Sequence, residues 1–133
     1  MKNPFQPGDT KVFRHLVTKD DIARFDTGVV HPVYSTFALA RDAEWSGRLF
    51  VLEMKEAHEE GIGTGITVVH HSPALLNQEV VFTANLTAVN HHEVITAYEA
   101  RVGDRLIASG EQRQKILAKE KLERLFEKLE PEQ

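Results

Sequence analysis

Three polar side chains stand in otherwise apolar or small surroundings: Thr36, Glu44 and His70. A hydroxyl, a carboxylate and an imidazole can together serve acyl chemistry without a metal or thiolate. Thr36 falls in the first turn of the longest helical stretch. Its hydroxyl could cap backbone donors there. The same position offers unpaired N–H groups and partial positive charge to a developing oxyanion. Glu44 lies at the margin of the helix's apolar stripe, beside Trp45, with Arg48 at i+4 and Arg41 at i−3. One expectation is a helix-surface ion pair. The other is a partly desolvated carboxylate, kept ionised by those arginines, acting as general base or acyl nucleophile. His70 ends an alternating stretch that puts Ile62, Thr64, Ile66 and Val68 on its face, with His71, Val69 and Thr67 opposite. It is a core histidine unless it borders a pocket containing Glu44.

Other chemistries find less support. There is no cysteine, which excludes disulfides, thiolate nucleophiles and Cys-ligated metal sites. Among the seven histidines, His70-His71 and His91-His92 are adjacent pairs. Neighbouring strand residues face opposite sides, so neither pair readily chelates one ion, and no His-x-x-x-His spacing or carboxylate-rich loop supports a metal. Gly61-Ile-Gly-Thr-Gly65 leads into a strand rather than a helix, so it is no phosphate cradle. No Gly-x-Ser-x-Gly elbow occurs.

The elements that must position these residues follow from periodicity. Lys11–Thr18 reads as a strand, Asp20–Phe25 as a single helical turn, and Asp26–Pro32 as a loop because of Gly28 and the His31-Pro32 step. Ser35 or Thr36 opens a helix running to about Ala57 and stopped by Gly61 and Gly63. At about 100° per residue, Leu39, Ala40, Ala43, Gly47, Phe50, Val51 and Met54 form one broad stripe. Ala38, Trp45, Leu49 and Leu52 form a second, roughly opposite, so the helix should be mostly enclosed. Strands are expected at 62–71, 79–89, 93–102 and 105–117, with turns at 72–78, Asn90-His91 and Gly103-Asp104. Residues 118–130 form a short amphipathic helix through Leu122, Leu125, Phe126 and Leu129. One enclosed helix followed by four consecutive strands predicts an α+β fold, an antiparallel sheet curled around that helix. Such a sheet has edges, and edge-to-edge pairing predicts a homodimer.

The whole chain of 133 residues, 41% hydrophobic and 27% charged, has the composition of one ordinary globular domain. Residues 1–9 and 118–133 would be peripheral to it. A net charge of −4 argues against general nucleic-acid binding. The N-terminus lacks the apolar run of a signal peptide, and no stretch approaches the ~20 apolar residues of a membrane span. The expected location is the cytoplasm.

The run Val33-Tyr-Ser-Thr36-Phe-Ala-Leu-Ala-Arg-Asp-Ala-Glu44-Trp45, then Gly63-Thr64 leading to Val68-Val69-His70, then Pro73 and Val80, resembles the fluoroacetyl-coenzyme A thioesterase-like branch of the hotdog-fold thioesterases. The similarity covers most of residues 8–117. It implies the catalytic set Thr36, Glu44 and His70, with Gly63 lining the acyl pocket. It also implies a dimer with sites at the subunit interface, hydrolysing acyl-coenzyme A without a metal or any cofactor beyond the coenzyme A of the substrate. The aromatic gate of members that select fluoroacetyl groups is matched here by Thr27 and Val30, which points to an ordinary small or medium acyl group. Asn77 stands at the family's turn glycine and can also adopt positive φ. Thr36 and Glu44 are about 12 Å apart along one helix, a spacing that a site shared between subunits would satisfy. The alternatives are a hotdog hydratase or dehydratase, for which Asp26 and His31 give no obvious Asp–His pair, and a non-catalytic acyl-thioester-binding dimer. Dimers pairing into tetramers stay open.

Overall fold

A computed structural model of the chain describes residues 1–25 and 28–131, with residues 24, 25 and 28–30 as backbone alone. In chain order it contains β1 (Thr10–Leu16), a 3-10 turn (Lys19–Asp21), β2 (Ile22–Phe25), β3 (Gly28–Tyr34), α1 (Thr36–Met54), β4 (Glu59–Ile66), β5 (Val69–His70), β6 (Glu79–Asn90), β7 (Glu93–Val102), β8 (Arg105–Ala118) and α2 (Lys119–Leu129). One antiparallel sheet runs β1-β6-β7-β8-β4, and β5 pairs with β8 beyond the end of β4. The sheet curls around α1, which is the hotdog arrangement, while β2 and β3 form a separate hairpin. The turns carry the residues that can hold them: Gly103 has φ +56° between β7 and β8, and Asn77 has φ +70° in the turn before β6.

Four expectations are corrected. The helical turn expected at Asp20–Phe25 is a 3-10 turn over Lys19–Asp21 followed by the strand Ile22–Phe25. Residues 28–34 form a strand rather than a loop. Pro32 is accommodated because it falls in the register shift between the Ile22–Tyr34 and Ala23–His31 pairs, where the ladder to β2 needs no N–H donor from it. The helix ends at Met54, not Ala57. Lys55 is already extended (φ −73°, ψ 147°), its N–H closes on the Val51 carbonyl, and Gly61 and Gly63 lie inside β4. The single strand expected at 62–71 is two, since β4 slips register between Gly63 and Gly65 and stops at Ile66 before β5 begins. A register slip reverses which face the later residues take, so His70 no longer shares the face of Ile62, while Ile66 and His70 keep one register on β8, opposite Gln112 and Ala108.

The core lies on the concave side of the sheet and is divided in two along α1. Around the helix start, Val17, Tyr34, Ala38, Leu39 and Ala43 pack with Val80, Phe82, Tyr98 and Ile107. Around its second half, Phe50, Val51 and Met54 pack with Ala84, Leu86, Val94 and Ile116. Between the two runs a buried polar row: Ser46, Thr96, Gln112 and Gln114. Gly47 makes room for it, because a Cβ there would stand 2.1 Å from Gln112 Oε1. The second apolar stripe of α1 is only partly enclosed, with Ala38 buried and the rest of it more open. Trp45 is 40% and Leu52 41% exposed, because the sheet covers only the opposite face of the helix. Among the described residues no helix is long and apolar enough to cross a membrane.

Candidate active site

The start of α1 is held from two sides. The Tyr34 N–H donates to the Ala74 carbonyl (2.8 Å) and the Ser35 N–H to the Asp21 carbonyl (2.8 Å). Ser35 is the N-cap, its hydroxyl oxygen accepting from the Ala38 N–H at 3.0 Å. With capping done by Ser35, the Thr36 hydroxyl is free for another partner and finds one: Oγ1 lies 3.1 Å from His70 Nδ1. The first-turn N–H groups of Thr36 and Phe37 point out of the helix end, where the backbone supplies them no intrahelical acceptor. Phe37 itself is 85% exposed.

His70 reaches this position because the chain crosses over at Thr67. The Thr67 N–H donates to the Glu111 carbonyl, its hydroxyl accepts from the Glu111 N–H, and its carbonyl accepts from the Tyr98 hydroxyl at 2.7 Å. Gly110 permits the crossing, since a Cβ there would lie 2.0 Å from the Thr67 carbonyl oxygen. Burial pushes the His70 imidazole below its ordinary pKa, with the Ser72 backbone offsetting part of the shift. Its Nε2 is buried and has no hydrogen-bond partner. A buried ring nitrogen left unpaired is costly, which marks this atom as awaiting an acceptor or donor.

Glu44 lies two turns further along α1, its carboxylate pressed against Gly63 of β4. A Cβ at residue 63 would stand 2.0 Å from Glu44 Oε1. The ion pair expected with Arg41 or Arg48 does not form. Arg41 binds Asp21 (2.9 Å) and Asp42 (3.0 Å), and Arg48 binds Glu60 (2.9 Å) and the Gly61 carbonyl (3.1 Å). Glu44 therefore keeps an exposed carboxylate facing an open groove of about 510 Å³ lined by Phe13, Arg41, Asp42, Glu44, Trp45 and Arg48. His70 borders a different cavity of about 270 Å³, with His71, Ser72 and Pro73. The chain thus brings Thr36 to His70 and Glu44 to Gly63, and the two pairs border different cavities. Of the proposed gate, Thr27 lies outside the described residues, as does the side chain of Val30.

A second polar assembly was not visible in the sequence. Buried Asp21 and Asp42 meet His15, Tyr34 and Arg41 beneath the helix start. His15 Nε2 lies 2.8 Å from Asp21 Oδ2 and 3.4 Å from Asp42 Oδ2, and the Tyr34 hydroxyl donates to Asp42. Burial works against ionisation of Asp21, but Arg41, the Thr18 backbone and hydroxyl, and His15 outweigh it and hold the pKa at about 2. Burial and the neighbouring Asp42 push the Tyr34 phenol upward. An Asp–His pair occurs at Asp21 and His15, where Arg41 also binds Asp21; Asp26 lies outside the described residues. His15, Asp21 and Asp42 have the spacing of metal ligands, as do Glu56, His58 and Glu59. The first group joins residues far apart in sequence, whereas the second lies within one four-residue stretch. In the first, Arg41 already occupies both carboxylates, so the set reads as an ion-pair clamp. Asp42 falls at about 240° on the α1 wheel, outside the inward stripe, so helical periodicity did not mark it.

Residues 17–120 match the family model of the fluoroacetyl-CoA-specific thioesterase FlK. A Thermus thermophilus protein described as a thioesterase superfamily member is 35% identical, with a TM-score of 0.90 over 95% of this chain and 93% of that one. The fluoroacetyl-CoA thioesterase FlK shares the fold at 21% identity, with a TM-score of 0.87 over 97% of this chain and 100% of that one. A hot-dog-like protein from Thermanaerovibrio acidaminovorans does so at 20% identity and a TM-score of 0.86, over 96% of each chain. No curated protein sequence matches. The span of the family match and the 35% identical relative agree with the observed fold: the chain belongs to the fluoroacetyl-CoA-specific thioesterase family of hotdog-fold proteins.

Proposed function

We propose that the chain hydrolyses a small or medium acyl-CoA thioester to the free acid and coenzyme A, as a homodimer in which each site draws on both protomers. The observation that carries this reading is the separation of two half-sites in one protomer. Thr36 and His70 stand together at the head of α1, and Glu44 stands against Gly63 two turns away. A two-fold arrangement that lays one helix along another would place the Glu44 of one subunit opposite the Thr36 and His70 of the next. The uncovered Trp45–Leu52 stripe and the free edge of β4 are surfaces such a dimer would bury.

In that site the thioester oxygen takes hydrogen bonds from the helix-start N–H groups and the Thr36 hydroxyl, where the helix dipole opposes oxyanion charge. Glu44, bonded to no arginine, takes a proton from water as water adds to the carbonyl, or attacks that carbon itself. In the second case water then cleaves the acyl–Glu44 anhydride to release the acid and restore the carboxylate. Collapse of the tetrahedral intermediate breaks the C–S bond, and the departing thiolate takes a proton to become coenzyme A. With Nδ1–H donating to Thr36 Oγ1, His70 Nε2 is the ring's acceptor, which relays the proton released from water to the departing thiolate.

The test is release of free thiol from a panel of acyl-CoA substrates. Glu44→Gln keeps the fold and loses most hydrolysis; full activity in that variant overturns the assignment. Mixing Thr36→Ala and Glu44→Ala chains regains activity where heterodimers carry one intact site, and no regain at any ratio refutes the sharing. Tight coenzyme A binding with no thiol release across the panel identifies a binding protein instead, and hydration of a crotonyl thioester identifies a hydratase.

A further inference from the structure

The turn between β5 and β6 joins the two halves of the Thr36–His70 pair, and one side chain pins it. Ser72 and Pro73 follow His70 by two and three residues. On the far side of the same turn, the Ala74 carbonyl accepts from the Tyr34 N–H at 2.8 Å and Leu75 bridges Val33, so the strand running into Thr36 is tied here too. Arg105, the first residue of β8, spans the turn. Its Nη1 donates to Ser72 Oγ at 2.6 Å and to the Pro73 carbonyl, and its Nη2 donates to Gln78 Oε1 at 3.3 Å. Gln78 Oε1 in turn accepts from the Leu75 N–H at 2.8 Å.

We infer that Arg105 is a positioning residue for the proposed hydrolysis, fixing the Ser72–Gln78 turn so that His70 Nδ1 and Thr36 Oγ1 meet. The functional part of this inference rests on the reading given above. The physical argument is the guanidinium's planar fork, permanently charged and able to serve several acceptors at once. All three acceptors are neutral, so the charge does not serve an ion pair through them. The bonds span the turn from the residue beside His71 to the residue before β6. Lysine offers one compact ammonium at that site and cannot reproduce the fork. Arg105 does not line the Glu44 groove, so its loss should act on turnover more than on substrate capture.

The experiment compares Arg105→Met, Arg105→Lys and Arg101→Met. Arg101 is a nearby cation bonded to Glu99 and the Asp104 carbonyl, with no bond to the turn. Two readouts are taken: kcat and KM by thiol release, and the ring 15N shifts and titration of His70 by NMR. Arg105→Met lowers kcat by roughly tenfold with KM within about twofold, a loss consistent with sub-ångström misplacement of a reacting group. It also moves the His70 ring signals, Arg105→Lys lies between it and the parent, and Arg101→Met matches the parent. Unchanged His70 signals in both Arg105 variants overturn the inference, as does an equal loss of kcat in Arg101→Met. The NMR readout is independent of turnover. A fully active Glu44→Gln with His70 still shifted by Arg105→Met would therefore sink the Glu44 assignment and keep the positioning.

Discussion

Gly63→Ala tests the site most directly, because it adds one methyl group at the point where β4 touches Glu44. The new Cβ stands 2.0 Å from Glu44 Oε1 and 3.2 Å from Cδ, while ordinary contact begins at 3.4 Å. The carboxylate must therefore withdraw by about 1.4 Å. It is the end of a flexible side chain facing an open groove, so it moves while the strand stays, and stability changes by less than about 1 kcal/mol. Catalysis is less tolerant, since a displacement near 1 Å costs on the order of 10²-fold, equivalent to about 2.7 kcal/mol of barrier. The assay is kcat by thiol release beside a thermal melt. Gly65→Ala on the same strand is the control, because its Cβ has nothing nearer than Arg113 Cδ at 3.9 Å. That variant should turn over like the parent. Parental kcat in a normally melting Gly63→Ala refutes the idea that the carboxylate's position against β4 sets the rate.

Ser35→Ala should cost about 1 kcal/mol of stability through the lost cap, whereas Thr36→Val should melt like the parent and lose kcat, as thermal melts and thiol release will show. Because burial lowers the His70 pKa, the acid limb of a kcat/KM profile should fall below the ordinary 6.5; a limb above that value contradicts the assignment of His70. Asp21 is held at about 2 against an ordinary 3.8, so between those values the unfolded chain binds more protons than the folded one. Its contribution of about 2 kcal/mol is complete above the unfolded value and is lost as pH falls toward 2. Urea unfolding of the parent and Asp21→Asn at pH 5 and at pH 2.5 should show a steeper loss in the parent, because Glu56, Glu59 and Glu60 are also held low and contribute equally to both.

Much of the architecture was legible because it depends on local periodicity. The stripe Leu39–Met54 is buried as its helical spacing requires, and β7 and β8 fall where alternation and the Gly103-Asp104 turn place them. Thr36, Glu44, Gly63 and His70 were legible as chemistry-bearing positions because their types and spacing follow a family pattern. What periodicity cannot carry is a break in itself. The register slip at Gly63–Gly65 and the crossing at Thr67, opened by Gly110 from a distant strand, decide which face His70 takes, and nothing near His70 encodes either. Partner choice is likewise nonlocal. Arg41 and Arg48 sit within a turn of Glu44 in sequence, yet they bind Asp21, Asp42 and Glu60, because folding brings those carboxylates to them and leaves Glu44 free. The sequence by itself determined which elements form and which side chains could react. Only the tertiary structure decided which of them meet, because a side chain's partner is set by the fold of distant segments and not by its neighbours along the chain.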